Sequence, residues 1–78
     1  MSPLYYENRI REKIVENRKS MGYRRNDVVV RLQLSGFDVS YETYKDIELG
    51  RKRVTAVEFL FLAKLLNIDV TSVLSVTA

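Results

Sequence analysis

SGFDVSYETYKDIELGRKR, residues 35–53, decides the reading of this chain. It parses as a polar turn, a short amphipathic helix stopped at both ends, and a cationic loop. Ser40 suits the start of the helix, because a serine hydroxyl accepts from the free amides of the first turn. Gly50 suits the position after its end, because glycine takes the left-handed backbone that closes a helix. Between the two stops, Tyr44 and Ile47 sit three apart and are placed to bury together. Tyr41, Glu42, Lys45 and Asp46 are left facing outward. A short helix with a polar face beside Arg51, Lys52 and Arg53 has the form that enters a DNA groove and meets its phosphates.

Outward from this stretch, the remaining segments also read as helices. Ser2 followed by Pro3 starts a helix, with proline at the first helical position. Tyr6, Ile10 and Ile14 repeat every fourth residue and Gly22 stops the segment, so helix 1 is predicted over 3–21. Tyr23 is expected to pack just beyond its end, and Tyr5, Tyr6, Tyr23 and Tyr44 to be core or half-core. Helix 2 is predicted over 26–34, with Val28, Val29 and Leu32 inward and Gly36 as the stop. Helix 3 covers 41–49. Thr55 with Glu58 three residues on is a capping box that opens helix 4, and Asn67 replaces glycine as its terminator. Asp69 caps a last helix over 70–75, with Val70, Val73 and Leu74 apolar. No repeat, linker or low-complexity tract interrupts this order, so one all-α domain of five helices is expected.

Helix 4 carries more apolar side chains than one buried face needs. Ala56, Phe59, Leu60, Ala63 and Leu66 form the stripe expected to face inward. Val57, Phe61 and Leu65 form a second stripe on another flank. A helix apolar on two sides is deeply buried or shared with a partner. A homodimer is therefore expected through Val57, Phe61 and Leu65, joined by segment 73–76.

Composition narrows the function classes. The chain has 78 residues and 46% hydrophobic content, enough for one small core. It has no cysteine and no histidine. Disulfide staples, zinc fingers, thiol nucleophiles and histidine acid–base chemistry are thereby excluded. No nucleophile–base arrangement, paired carboxylates or glycine-rich phosphate loop is present, so no enzyme activity, cofactor or small-molecule substrate is expected. No apolar run approaches the ~20 residues of a membrane span, and no secretory leader is recognisable. A cytoplasmic protein that does not enter membranes is the expectation. The formal charge is only +3, but its placement is uneven. Residues 1–36 hold eight bases and four acids, whereas 37–78 hold five bases and six acids. The bases gather at Arg24 and Arg25 and at Arg51, Lys52 and Arg53, on either side of helix 3.

The order of these elements resembles the lambda-repressor and Cro-like helix-turn-helix family, also called Xre-type. The resemblance spans about residues 9–74. Its best pieces are IVENRKSMGY, SYETYKDIELGRKRVT and FLAKLLNIDVTSVL. At its centre is a Ser-x-x-Thr-x-x-x-Ile-Glu-x-Gly pattern at Ser40, Thr43, Ile47, Glu48 and Gly50, supported by Ala-Lys-x-Leu-x-Ile at 63–68. The resemblance implies a five-helix lambda-repressor-like DNA-binding domain in which helices 2 and 3 form the helix-turn-helix and helix 3 enters the major groove. It implies base-reading positions at Tyr41, Glu42, Lys45 and Asp46. It implies phosphate contacts at Arg25, Ser40 and Thr43, joined by the loop residues Arg51, Lys52 and Arg53. It also implies a structural ion pair of Arg18 with Glu48, tying helix 1 to helix 3.

Three features depart from the family pattern. The turn at 34–39 is long, as in one subclass. Helix 3 carries Glu42, Asp46 and Glu48 against Lys45 alone, which is unfavourable beside phosphates. Asn17 replaces an apolar residue of helix 1 and must find a hydrogen-bond partner if buried. Two functions follow. One is a sequence-specific transcriptional regulator that binds double-stranded DNA as a dimer. The other is a protein-binding helix-turn-helix module, antitoxin-like or an adaptor.

Overall fold

A helix leaves four amides and four carbonyls unbonded at its ends, and the sequence supplies partners for them locally. The computed structural model describes residues 3–74, and among them every regular element is helical. The order is α1 (Pro3–Ser20), α2 (Arg25–Leu34), α3 (Tyr41–Glu48), α4 (Ala56–Leu66) and α5 (Val70–Leu74). Ser2, the expected cap of α1, lies outside the described residues, as do 75–78. The Ser40 hydroxyl accepts from the Thr43 amide at 3.1 Å. At α4 the box is reciprocal: Thr55 Oγ1 accepts from the Glu58 amide at 3.2 Å, and the Glu58 carboxylate accepts from the Thr55 amide at 2.9 Å. Asp69 Oδ1 accepts from the Thr71 amide at 3.0 Å and opens α5.

The helix stops are equally local. Gly50 has φ +77° and directs the Arg51 amide back to the Asp46 carbonyl at 2.8 Å. A Cβ there would only come into ordinary contact with the Arg11 stem, 3.4 Å from its Cδ, so the constraint at Gly50 is the backbone conformation. Asn67, at φ 53°, is the one non-glycine residue with positive φ among the described residues. Asparagine tolerates this conformation better than other side chains. The long turn is not loose. Phe37 and Val39 point into the core, and Gln33 Nε2 donates to the Val39 carbonyl at 2.9 Å.

The core draws one or more residues from every helix: Ile14, Val28, Leu32, Tyr44, Ile47, Leu62, Leu66 and Val73 are all within 2% of complete burial. The long α1 is the spine, packing against α3, α4 and α5, while α2 packs against α3 and α4. Two α1 side chains also act as caps for other helices. Asn17 Nδ2 donates to the carbonyls of Leu66 and Asn67 at 3.0 and 3.3 Å, closing the end of α4. This is the partner its polar amide required. Arg9 donates to the carbonyls of Ser72 and Val73 at 2.8 and 3.4 Å, placing a cation at the end of α5. Tyr5, Tyr6 and Tyr23 are half-buried, and Tyr23 carries the Arg31 guanidinium 4.3 Å above its ring.

The inward face of α4 differs from the expected stripe. Leu62, Ala63 and Leu66 are buried and Phe59 half-buried, whereas Ala56 and Leu60 are exposed. The physical reason is the segment AVEFLFLAKLL itself. With so few polar residues, the sequence does not fix which side turns inward, and packing against α1 and α2 decides. No helix of the described residues is long and apolar enough to cross a membrane.

Candidate nucleic-acid interface

The outward face of α3 is only as well placed as its inward face is held. Tyr44, Ile47 and Glu48 are buried on that inner side. Glu48 is a charged group in the core, where an unpaired carboxylate would be prohibitive. It is paired twice. Arg18 binds it bidentately, Nε to Oε2 at 2.6 Å and Nη2 to Oε1 at 3.0 Å. Arg25, at the start of α2, adds Nε to the same Oε1 at 2.9 Å. The Tyr44 hydroxyl, one turn earlier on α3, donates to Oε2. Arg18 spends its last edge on the Tyr23 carbonyl, with Nη1 donating at 2.8 Å. Among the described residues no buried side-chain polar atom lacks a partner. The expected ion pair of Arg18 with Glu48 is thus present, and α1, α2 and α3 meet at one carboxylate.

Burial opposes ionisation of Glu48, but hydrogen bonds from Arg18, Tyr44 and Arg25 outweigh it and hold its carboxyl below the ordinary glutamate range. Burial, and then the bond to Glu48, push the Tyr44 hydroxyl far above the ordinary tyrosine range. A folded-state value below the unfolded one means stability that is complete above the unfolded pKa, ~4.3, and lost as pH falls through the folded value. With no histidine to titrate between them, the thermal midpoint is expected to be flat from about pH 7 to about pH 5.5 and to fall below about pH 4.5. Calorimetric or circular-dichroism melts across that range check it, and a midpoint still flat at about pH 3 is the contrary result.

On the outer side, Tyr41 is 39% exposed and Glu42 is exposed, while Lys45 and Asp46 are half-exposed. These are the four positions expected to face outward. The Ser40 hydroxyl also donates to Thr43 Oγ1 at 3.0 Å, so the Thr43 hydroxyl keeps its own proton for an external acceptor.

Cations lie at both ends of this face. At the first end a surface concavity is lined by Arg18, Arg24, Arg25, Asn26 and Tyr41. At the second end another is lined by Arg11, Arg51, Lys52 and Arg53 above Ile10 and Ile47. The loop cations are each paired with a carboxylate: Arg51 with Asp46 at 3.7 Å, Lys52 with Glu58 at 3.1 Å and Arg53 with Glu7 at 3.0 Å. Such exposed pairs contribute only ~0–1 kcal/mol, so a phosphate can replace the carboxylate at little cost. The pair with Asp46 also neutralises one of the acids that made α3 unfavourable for phosphate.

Arg25 has a task the sequence did not reveal. It was expected to contact phosphate alone, but its Nε is committed to Glu48. Arg24, with a side chain 90% exposed, and Arg11 join the basic surface as well. Arg24 stood in a visible basic cluster. Nothing local marks Arg11, whose place depends on α1 running beneath the loop between α3 and α4.

The expected self-association stripe is divided. Val57 is 63% exposed, but Phe61 and Leu65 are half-buried against the core. Phe61 stacks on Phe37 of the long turn, with centroids 5.4 Å apart and planes 29° apart. On α4, Leu60 is exposed as fully as Val57, at 63%, and Leu74 of α5 is 62% exposed. In segment 73–76, Val73 is buried, while 75 and 76 lie outside the described residues. No protein-family model, curated protein or solved structure matches this chain.

Proposed function

We propose that this chain is a sequence-specific DNA-binding regulator of transcription. In this reading α2, the long turn and α3 form a helix-turn-helix of the lambda-repressor and Cro-like kind, with α3 in the major groove. The observation that carries it is the clamped α3: its inner face is fixed by the shared Glu48 carboxylate, and its polar outer face lies between two groups of arginines. Rigid placement of a helix by cations that grip phosphate, leaving its own side chains to read bases, is how such helices achieve specificity. Tyr41, Glu42, Lys45 and Asp46 would then face base edges, with Arg24, Arg25, Ser40, Thr43, Arg51, Lys52 and Arg53 on the phosphates.

Binding of duplex DNA against salt concentration tests the reading. If about four phosphates are neutralised per domain, affinity falls roughly a hundredfold between about 50 and 200 mM salt. Tyr41→Ala and Asp46→Ala are expected to change the preferred sequence, each lost contact costing ~1–3 kcal/mol of discrimination. Arg53→Ala is expected to weaken all sequences alike and to reduce the salt slope by ~1. A folded protein that ignores duplex DNA at low salt defeats the proposal.

That result would favour the second reading, a protein-binding module. Two observations support it: Glu42 on the outer face of α3 has no ion-pair partner among the described residues, and Val57 and Leu60 stand exposed one turn apart on α4. Within the DNA-binding reading the same α4 surface is proposed to join two copies, setting two α3 helices ~34 Å apart for a palindromic site.

A further inference from the structure

We infer that Glu48 is a positioning residue, holding the Arg25 guanidinium so that its outer edge is presented to a DNA phosphate beside Tyr41. This rests on the DNA-binding reading of α3 and adds a role to a group that otherwise serves only the core.

The two arginines on Glu48 are used differently. Arg18 spends all three of its nitrogens, on both carboxylate oxygens and on the Tyr23 carbonyl, and only 10% of its side chain is exposed. Arg25 places Nε on Oε1, has the Tyr41 side chain within hydrogen-bonding reach of its guanidinium, and keeps 29% of its side chain exposed. A guanidinium is a planar fork, so fixing one nitrogen fixes the direction of the other two. Arg25 lines a concavity together with Arg24, Asn26 and Tyr41, and the Tyr41 side chain lies beside the same guanidinium. The carboxylate itself cannot swing, because Arg18 and Tyr44 hold both of its oxygens. Orientation thus passes from α1 through Glu48 on α3 to Arg25 at the first position of α2.

The consequence is pre-organisation. A phosphate arriving between α2 and α3 meets a cation whose rotamer entropy was already lost on folding, so less of the contact energy is consumed in ordering it. Lysine keeps the charge but is poorly suited to both tasks, since its ammonium is a point charge on a flexible stem and lacks the rigid fork that holds one edge on Glu48 while directing the other outward. Arg31, on the same helix but bonded to the Asp27 carbonyl and lying over Tyr23, is placed on no phosphate and serves as the internal control.

The test compares wild type, Arg25→Lys and Arg31→Lys in duplex titrations over a salt series, with thermal melts alongside. The Arg25 Nε–H is followed by NMR in the wild type. Arg25→Lys is expected to lose at least about tenfold in affinity and to make the salt slope shallower by about 0.9, whereas Arg31→Lys stays within about twofold of wild type. The Arg25 Nε–H is expected to exchange slowly, as a donor held by a buried carboxylate does. If Arg25→Lys binds like Arg31→Lys, or if the melt moves while affinity per folded molecule does not, Arg25 is structural only and the inference fails. A solvent-rate Nε–H in the wild type overturns it without reference to DNA, and also decides the matter if Arg25→Lys does not fold. Wild type that binds no duplex at low salt removes the DNA-binding reading, and the inference falls with it; a failure of Arg25→Lys alone leaves that reading intact.

Discussion

Glu48→Leu is expected to cost ~3–5 kcal/mol of folding free energy, because it strands the buried Arg18 without its counter-charge. The side chain that is lost accepts from Arg18 twice, from Arg25 once and from Tyr44 once. Leucine refills part of the volume but accepts from none of them. Single domains hold only ~5–15 kcal/mol in total, so this variant should melt tens of degrees lower or fail to fold near body temperature. Arg18→Met is expected to cost less, since Glu48 keeps Arg25 and Tyr44 and can also take up a proton. The sign of its pH dependence follows. Without Arg18 the burial cost on the Glu48 carboxylate is less well offset, so its folded pKa rises relative to wild type. The stability gap between Arg18→Met and wild type should therefore narrow as pH falls from about 7 towards 4. Arg18→Met/Glu48→Leu should recover much of the loss, since Arg25 is exposed enough to return to water. Urea unfolding of the four proteins at two pH values measures all of this. Glu48→Leu within about 1 kcal/mol of wild type would mean that the carboxylate is not the junction described.

What could be read from the sequence was what is local. Ser40 with Thr43, Thr55 with Glu58, Gly50 and Asn67 each act within a few residues of themselves, so spacing alone identified them. The inward face of α2 was legible for the same reason, since Val28, Val29 and Leu32 stand among polar neighbours. Arg18 and Glu48 lie 30 residues apart, and only the family resemblance joined them. The two further groups on that carboxylate escaped notice because they require α2 and α3 to be packed first. From the sequence Tyr44 reads as core or half-core and Arg25 as a phosphate contact. Phe61 reads as part of a self-association stripe because the residue that covers it, Phe37, sits in a turn whose path no periodicity describes. The outer face of α3 was correctly placed, but its exposure fixes only where it points. Which bases or which partner it meets depends on chemistry outside the chain.

The phase of α4 is the sharpest of these differences, and it can be measured. Leu62 is fully buried and Leu60 is 63% exposed, so Leu62→Ala is expected to cost ~2–5 kcal/mol and Leu60→Ala within about 0.5 kcal/mol of nothing. The periodicity of the sequence gives the opposite order. The physical basis is a cavity: α1 and α2 both pack against α4, and neither can follow a receding side chain without breaking contacts elsewhere in the shared core. At ~4–8 °C per kcal/mol for a domain of this size, the two alanine variants should be separated by more than about 10 °C in melting temperature. Equal melts, or a reversed order, would show α4 rotated from the arrangement described. The same phase decides what α4 can offer a second copy. Val57 and Leu60 lie three apart on the open side, with Phe61 at the edge, and burying such surface contributes ~25 cal/mol per Å². Leu60→Glu should then leave the melting temperature of the isolated domain nearly unchanged while abolishing association. Sedimentation of wild type and Leu60→Glu at micromolar concentration separates the outcomes. A wild type that remains monomeric, or a Leu60→Glu protein that remains dimeric, would exclude this face from joining two copies, whatever α3 binds.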